Sequence, residues 1–195
     1  MYELKKSELR ENIESFAIAV VTILFIMIFI VQSFLVKGSS MEPNLHEGER
    51  LLVNKFIFRM RPPQTGDIVV IIPPGDPTRK YIKRVIAGPL QRVRIQDFNV
   101  YVDGIALNEP YIREKMNSNF DERTVPDGTI FVMGDNRNYS RDSRDMETVG
   151  FVPLKNVVGK AIFVFWPLPK LKILFNPVYK AMDQNIGYTI EHASP

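Results

Sequence analysis

Two adjacent serines, Ser39 and Ser40, lie between a glycine and a proline in Lys37-Gly-Ser-Ser-Met-Glu-Pro-Asn-Leu45, and two adjacent cations, Lys83 and Arg84, lie inside the apolar run Tyr81–Ala87. A third segment, Gly134-Asp-Asn-Arg-Asn-Tyr-Ser-Arg-Asp-Ser-Arg144, is an eleven-residue polar run directly after Thr-Ile-Phe-Val-Met133. Each has an ordinary reading when taken alone: loop serines, a cation on the solvent face of a strand or snorkelling from it, and a solvated loop. A calcium loop of the EF-hand kind is excluded for the third, because Arg137 sits where a ligand belongs and no glycine occupies the sixth place. Together they admit one chemistry. Cysteine is absent, and the two histidines, His46 and His192, leave little room for a metal site or a Ser-His-Asp triad. A nucleophilic serine would then need another base. A lysine serves if its amine is neutral, and burial in apolar surroundings lowers its pKa by disfavouring the charged form. Serine–lysine pairs are an established variant of the triad. Lys83 suits the base and either Ser39 or Ser40 the nucleophile; by strand alternation Lys83 shares a face with Tyr81 and Val85, opposite Ile82 and Arg84.

The elements that must position these groups are short and β-rich. Arg50–Asn54, Ile68–Ile72, Tyr81–Ala87, Val93–Ile95, Asn99–Val102, Thr129–Met133 and Lys160–Phe165 are separated by breakers such as Pro62-Pro63, Gly66-Asp67, Pro73-Pro74-Gly75 and Pro126-Asp127-Gly128. Strands at this spacing predict a mainly antiparallel sheet, and Val100–Leu107 predicts a hairpin turning at Asp103-Gly104. The 195 residues are 45% hydrophobic and 24% charged, which excludes disordered and fibrous classes. The net charge of +3 is small and its cations are dispersed, so the composition gives no footprint for nucleic acid.

Ahead of the β-rich part, Phe16–Val36 runs 21 residues without a charge. As a helix it would span about 30 Å, the thickness of a bilayer's hydrocarbon core. The run is longer than the h-region of a cleaved leader and ends in Phe-Leu-Val-Lys37 with no Ala-x-Ala beside it. A core helix apolar on every side is unusual in so small a soluble protein. The sequence therefore predicts three parts: a tail over 1–15, a membrane anchor over 16–36 and one β domain over 37–195. Lysine and arginine counts tie at three before the anchor and three soon after it, so charge alone does not orient the chain.

With their order and spacing, the segments resemble type I signal peptidases, also called leader peptidases. Ser40-Met41-Glu42-Pro43-Asn44-Leu45 is similar to that family's S-M-x-P-T-L box, Arg61–Val70 to its G-D-[IV]-[VI]-V strand, Tyr81–Ile86 to its Y-[IV]-K-R box, and Val132–Arg144 to its G-D-N-R-x-x-S-x-D-S-R box. Asn44 stands where that box usually has threonine, and Gly38 where some members have serine. The resemblance implies a largely β catalytic domain behind one transmembrane helix. It implies Ser40 as nucleophile with its N–H as an oxyanion donor, and Lys83 as general base. Ser140 would orient that lysine, and Asp142 and Arg144 would brace the surrounding strands. Met41, Leu45, Tyr81 and Ile82 would wall a shallow pocket for the residue before the cut. It further implies exported preproteins as substrates, cut after Ala-x-Ala, and a lipid bilayer as partner, with no metal, cofactor or nucleic acid. The tail would be cytoplasmic and the domain on the far side of a cell membrane, or of an internal one such as a thylakoid. Two rivals are a self-cleaving SOS-type repressor, which needs a DNA-binding motif where this chain has its apolar segment, and a non-catalytic β module tethered to a membrane.

Overall fold

A computed structural model describes residues 2–177; Met1 and residues 178–195, which include His192 and the end of the predicted β domain, lie outside the described residues. The chain begins as a helix, α1 (Tyr2–Phe29). Its described apolar side chains find no packing partner in the β part: Phe16 is 72% and Ile18 68% exposed. Among the described residues no helix is long and apolar enough to cross a membrane.

The helix does not follow the apolar run to Val36. After a turn at Ile30, residues Val31–Leu35 form strand β1, antiparallel to β2 (Arg50–Asn54), with Val31 opposite Asn54 and Leu35 opposite Arg50. The segment 16–36 expected as one helical anchor is thus helical only as far as Phe29 and a strand beyond it. The physical reason lies in the backbone: the N–H and C=O groups beyond Phe29 find partners on the edge of β2. Lys55 N donates to Ile30 O and Val36 N to Glu49 O, both at 2.8 Å, which extends the ladder past both ends of β1.

The remaining strands are β3 (Ile68–Ile71), β4 (Tyr81–Ala87), β5 (Arg92–Gln96), β6 (Asn99–Val102), β7 (Ile105–Ala106), β8 (Phe120–Thr124), β9 (Thr129–Met133), β10 (Val152–Pro153), β11 (Val157–Trp166) and β12 (Lys172–Ile173), with a one-turn helix, α2 (Ile57–Met60), after β2. One sheet has the order β1-β2-β11-β3-β4-β9-β10 with β12 added to β11; a smaller one has the order β7-β6-β5-β8. Every pairing is antiparallel, so the mainly β antiparallel class expected from the punctuation is the class observed. The hairpin turns where Asp-Gly predicted, with positive φ at both Asp103 (52°) and Gly104 (83°). The charged strand β8 has no apolar alternation and escaped prediction.

Strands β3 and β4 are covered on both faces. Ile68 and Val70 join Met41, Leu45, Leu51 and Val53 in one core cluster, while Val69 and Ile71 join Val85, Ile130 and Val132 in another. Burial on both sides explains why the sequence of β3 is uniformly apolar instead of alternating. A third cluster, with Val93, Val102, Phe131 and Met133, joins the two sheets.

Asp67, fully buried at the entry to β3, ties distant parts of this framework together. Its carboxylate accepts from Arg61 Nη1 (2.8 Å), Gln64 N (2.9 Å) and Asn176 Nδ2 (2.8 Å), and pairs with Lys160 Nζ of β11 at 2.7 Å. Burial alone would raise its pKa, but these donors outweigh burial and hold it below the ordinary 3.8. A lowered carboxyl pKa contributes stability above the unfolded value and loses it as pH falls through the folded one. Asp67→Asn should cost about 3 kcal/mol at neutral pH by leaving Lys160 and Arg61 without their counter-charge. In urea unfolding the gap to the wild type should begin to narrow below about pH 3.8, where the unfolded carboxyl takes up a proton, and close as pH falls through the lower native value.

Candidate active site

β4 runs between β3 and β9, and from Lys83 to Ala87 it is buried, with only Tyr81 and Ile82 at its start partly exposed. Lys83 and Arg84 are each only 3% exposed. The ordinary reading of this pair, with one cation on a solvent face, does not hold. Lys83 Nζ lies 2.7 Å from Ser40 Oγ and 3.1 Å from Ile82 O, and sits over the Tyr81 ring. Burial lowers the Lys83 pKa from 10.5 to about 8; Asp142 and Asp135 oppose the shift and Arg144 assists it. At pH 7 about one molecule in ten then carries the neutral amine, against a few in ten thousand for an unperturbed lysine.

The structure separates the two serines that the sequence left together. Ser40 faces the lysine, whereas Ser39 is exposed and its carbonyl accepts from Glu42 N (3.0 Å) and Asn136 Nδ2 (3.2 Å). The turn carrying Ser40 is tightly wound. Asn44 N and Leu45 N both donate to Met41 O, at 3.0 and 2.8 Å, and Asn136 N donates to Ser40 O at 3.0 Å.

A hollow of about 150 Å³ opens beside Ser40 and Lys83, walled in part by Met41, Tyr81 and Ile82. Leu45 is not in that wall. It is fully buried with Leu51 and Val53, because the bond from its N–H to Met41 O winds it inward. Its place is taken by Phe34, Leu35 and Val36, residues the sequence reading had assigned to the membrane. A larger hollow of about 310 Å³, between α2 and Leu154, is lined by Arg59, Arg61 and apolar groups and holds no nucleophile.

The polar run after β9 folds over this corner. Arg144 holds Asp142 with two bonds, Nε to Oδ1 at 2.8 Å and Nη2 to Oδ2 at 2.9 Å; Asp142 Oδ2 also accepts from Gly134 N at 3.0 Å. Ser140 Oγ is buried without a hydrogen-bond partner among the described residues, so the bond to Lys83 that the resemblance implied is not formed; the amine instead meets Ser40 Oγ and Ile82 O. Four further polar residues belong to the site and were missed. Asp135 is fully buried and takes two bonds from Arg84, Nε to Oδ1 at 2.8 Å and Nη2 to Oδ2 at 2.7 Å. Arg137 donates through Nε to Gly134 O (3.1 Å) and through both Nη atoms to Glu109, whose carboxylate also accepts from Tyr111 Oη at 2.6 Å. Burying two cations in one strand demands two anions nearby, which could have pointed to Asp135. Glu109 and Tyr111 sit in a loop with no periodic signal.

In chemical terms, a hydroxyl beside a desolvated amine at the mouth of an apolar hollow is the arrangement needed to make a neutral serine attack. Gly134 keeps the parts in contact. A Cβ there would stand 2.2 Å from Ser140 Oγ and 2.5 Å from the carbonyl oxygen of Ser40. Gly134→Ala should therefore destabilise the fold by about 1–3 kcal/mol in a denaturant titration, the usual range for overpacking. Adding Ser140→Gly should restore only part of the loss, because the Ser40 backbone still blocks the methyl; complete restoration would show that the Ser40 turn is not pinned there.

A family described as signal peptidase, peptidase S26, matches residues 9–166 of this chain. The probable signal peptidase I-1 of Synechocystis sp. is 42% identical over 166 residues, 82% of this chain and 83% of that protein. The signal peptidase I of Bacillus licheniformis is 38% identical over 86% of this chain and 94% of its own, and the signal peptidase IB of Staphylococcus aureus 34% over 88% and 97%. A crystal structure of a signal peptidase I from Enterococcus faecalis V583 is 32% identical, covering 50% of this chain and 95% of that one with a TM-score of 0.45. A family match over most of the chain, and relatives aligned along nearly their whole lengths, lead to one conclusion: the chain belongs to the signal peptidase family, peptidase S26, as a type I enzyme.

Proposed function

We propose that this peptidase removes signal peptides from exported preproteins by a Ser40/Lys83 dyad, working through an acyl-enzyme at a membrane surface. The observation that carries the reading is the 2.7 Å approach of Lys83 Nζ to Ser40 Oγ, with the amine buried and its pKa near 8. Neutral Lys83 takes the Ser40 proton as Oγ attacks the scissile carbonyl, and the Ser40 N–H holds the developing oxyanion. The resulting ammonium protonates the departing amine, releasing the mature protein and leaving the signal peptide esterified to Ser40. Lys83, neutral again, deprotonates a water that cleaves the ester, and its proton returns to Ser40. Asp142 and Arg144 hold the loop that closes over the pair, and Ser140 stands beside it.

The substrate backbone adds as an extended strand beside the hollow, which presents alternate side chains to its walls. Met41, Tyr81, Ile82 and Val36 leave small, apolar space, which supports a preference for alanine-like residues before the cut. No metal or organic cofactor takes part in this reading.

The exposed apolar face of α1 supports a bilayer anchor. Its helical apolar part, residues 16–29, is about 21 Å long, shorter than the hydrocarbon core. Such an anchor thins the bilayer or draws β1 down to the interface, which brings Ser40 to the surface where signal peptides emerge. In this reading the tail is cytoplasmic and the β domain lies on the opposite side, because a signal peptide is presented for cutting only after its C-terminal end has crossed.

Three outcomes are expected when detergent-solubilised protein is incubated with a preprotein and the new N-terminus is measured by mass. Wild type and Ser39→Ala should cut after a small residue. Ser40→Ala and Lys83→Arg should not, since arginine keeps the charge but gives up no proton. The wild-type kcat/KM should rise about tenfold per pH unit below a midpoint near 8, as Lys83 loses its proton. Substantial cutting by Lys83→Arg would remove the lysine from the chemistry. Separately, protease added to intact spheroplasts should digest the β domain; protection until detergent is added would reverse the topology.

A further inference from the structure

The turn that carries Ser40 and the strand that carries Lys83 are joined a second time, away from the reacting atoms, and the joint is Asn44. Its Nδ2 donates both to Asp135 Oδ2 at 2.8 Å and to the carbonyl oxygen of Tyr111 at 2.6 Å. Asp135 is in turn gripped by Arg84, the neighbour of Lys83 on β4. The connections close a ring: Ser40, three residues of turn, Asn44, Asp135, Arg84, Lys83, and back across the 2.7 Å contact to Ser40. Asp135 is also flanked by Gly134, where a Cβ would collide with the Ser40 carbonyl oxygen, and by Asn136, whose N–H donates to that oxygen. On the outer side, Lys172 Nζ donates to the Asn44 carbonyl oxygen, so both ends of this residue are held.

We propose that Asn44 is a positioning residue of the reaction: by bridging Asp135 and the Tyr111 carbonyl it fixes the spacing between Ser40 Oγ and Lys83 Nζ. The proposal rests on the Ser40/Lys83 reading and extends it to a residue that touches neither the substrate hollow nor the reacting atoms. The chemistry of the side chain decides its identity. Both partners only accept, so the bridge needs two N–H bonds from one atom, which a primary amide supplies. A hydroxyl supplies one. A carboxylate supplies none and sets a second negative charge against Asp135. Tyr111 is suited to anchor the bridge, since its ring lies under the Arg84 guanidinium at 4.0 Å and its hydroxyl is held by Glu109.

The test compares steady-state cleavage of one preprotein by detergent-solubilised wild type, Asn44→Thr and Asn44→Asp, with thermal melting to confirm that each variant folds. Loss of one bond should lower kcat about tenfold in Asn44→Thr. Loss of both, with repulsion, should lower it about a hundredfold or more in Asn44→Asp, the scale of an ångström of misplacement. KM should stay within about twofold in both, because Asn44 does not line the substrate hollow. The ratio of Asn44→Asp activity to wild type should rise as pH falls from 8 to 5, because the adjacent Asp135 carboxylate raises the pKa of the introduced carboxyl group, which once protonated regains one donor and sheds its charge; a merely weakened fold would not follow that titration. If Asn44→Asp does not fold, Asn44→Thr alone decides: kcat within about twofold of wild type overturns the proposal, as does a loss confined to KM in either variant. Ser40→Ala and Lys83→Arg run alongside. Activity in either of those would sink the dyad reading, whereas their silence together with a fully active Asn44→Thr would sink only the role of Asn44.

Discussion

An amine buried in the middle of a sheet governs the arrangement of everything near it. A lysine ammonium taken out of water is costly, and a protein escapes that cost by letting the group go neutral or by surrounding it with opposite charge. Lys83 is held between the two: burial drives its pKa down, while Asp142 and Asp135 keep it from falling further than about 8. If both carboxylates were bare, they would hold the lysine charged. Each is instead taken up by its own arginine, Asp135 by Arg84 and Asp142 by Arg144. The buried ion pairs around the site are therefore explained less by stability, to which such pairs contribute little on balance, than by the need to leave Lys83 without a dedicated counter-ion.

That electrostatic setting needs a strand covered on both sides, and the fold supplies one. β4 has β3 and β9 pairing its edges and core clusters packed on its faces, and together these bury Lys83. Ser40 comes from elsewhere in the chain, and its turn reaches the amine only because β1 and β2 pair just before and after it. β1 thus has two duties. It ends the apolar helix at Phe29, and the segment Phe34–Val36 forms part of the wall beside Ser40 and Lys83.

Much of this was legible in the residues, and what was not has physical causes. β2, β4, β6 and β9 announced themselves through apolar content between breakers, and Asp103-Gly104 through its need for positive φ. The absence of cysteine and the scarcity of histidine directed attention to a serine and a lysine, yet spacing alone left Ser39 and Ser40 equivalent. Only the wound turn, with Leu45 N bonded to Met41 O, shows which hydroxyl meets the amine. The same winding carries Leu45 into the core. That the helix stops at Phe29 was not legible, because hydropathy does not register that β2 offers an open edge to Val31–Leu35. Asn44 stood out in the sequence only as a departure from a familiar box, since its partners Asp135 and Tyr111 are brought near by long-range strand pairing.

The proposed chemistry turns on the protonation of one side chain, which can be measured without any substrate. Lysine labelled with ¹³C at Cε would be incorporated into the protein in detergent, and the Lys83 resonance assigned by its absence from Lys83→Arg. Its chemical shift would then be followed from pH 6 to 11. A midpoint near 8 is the result the buried dyad requires. A midpoint at the ordinary value near 10.5 would mean that Lys83 is charged at working pH and cannot take the proton from Ser40.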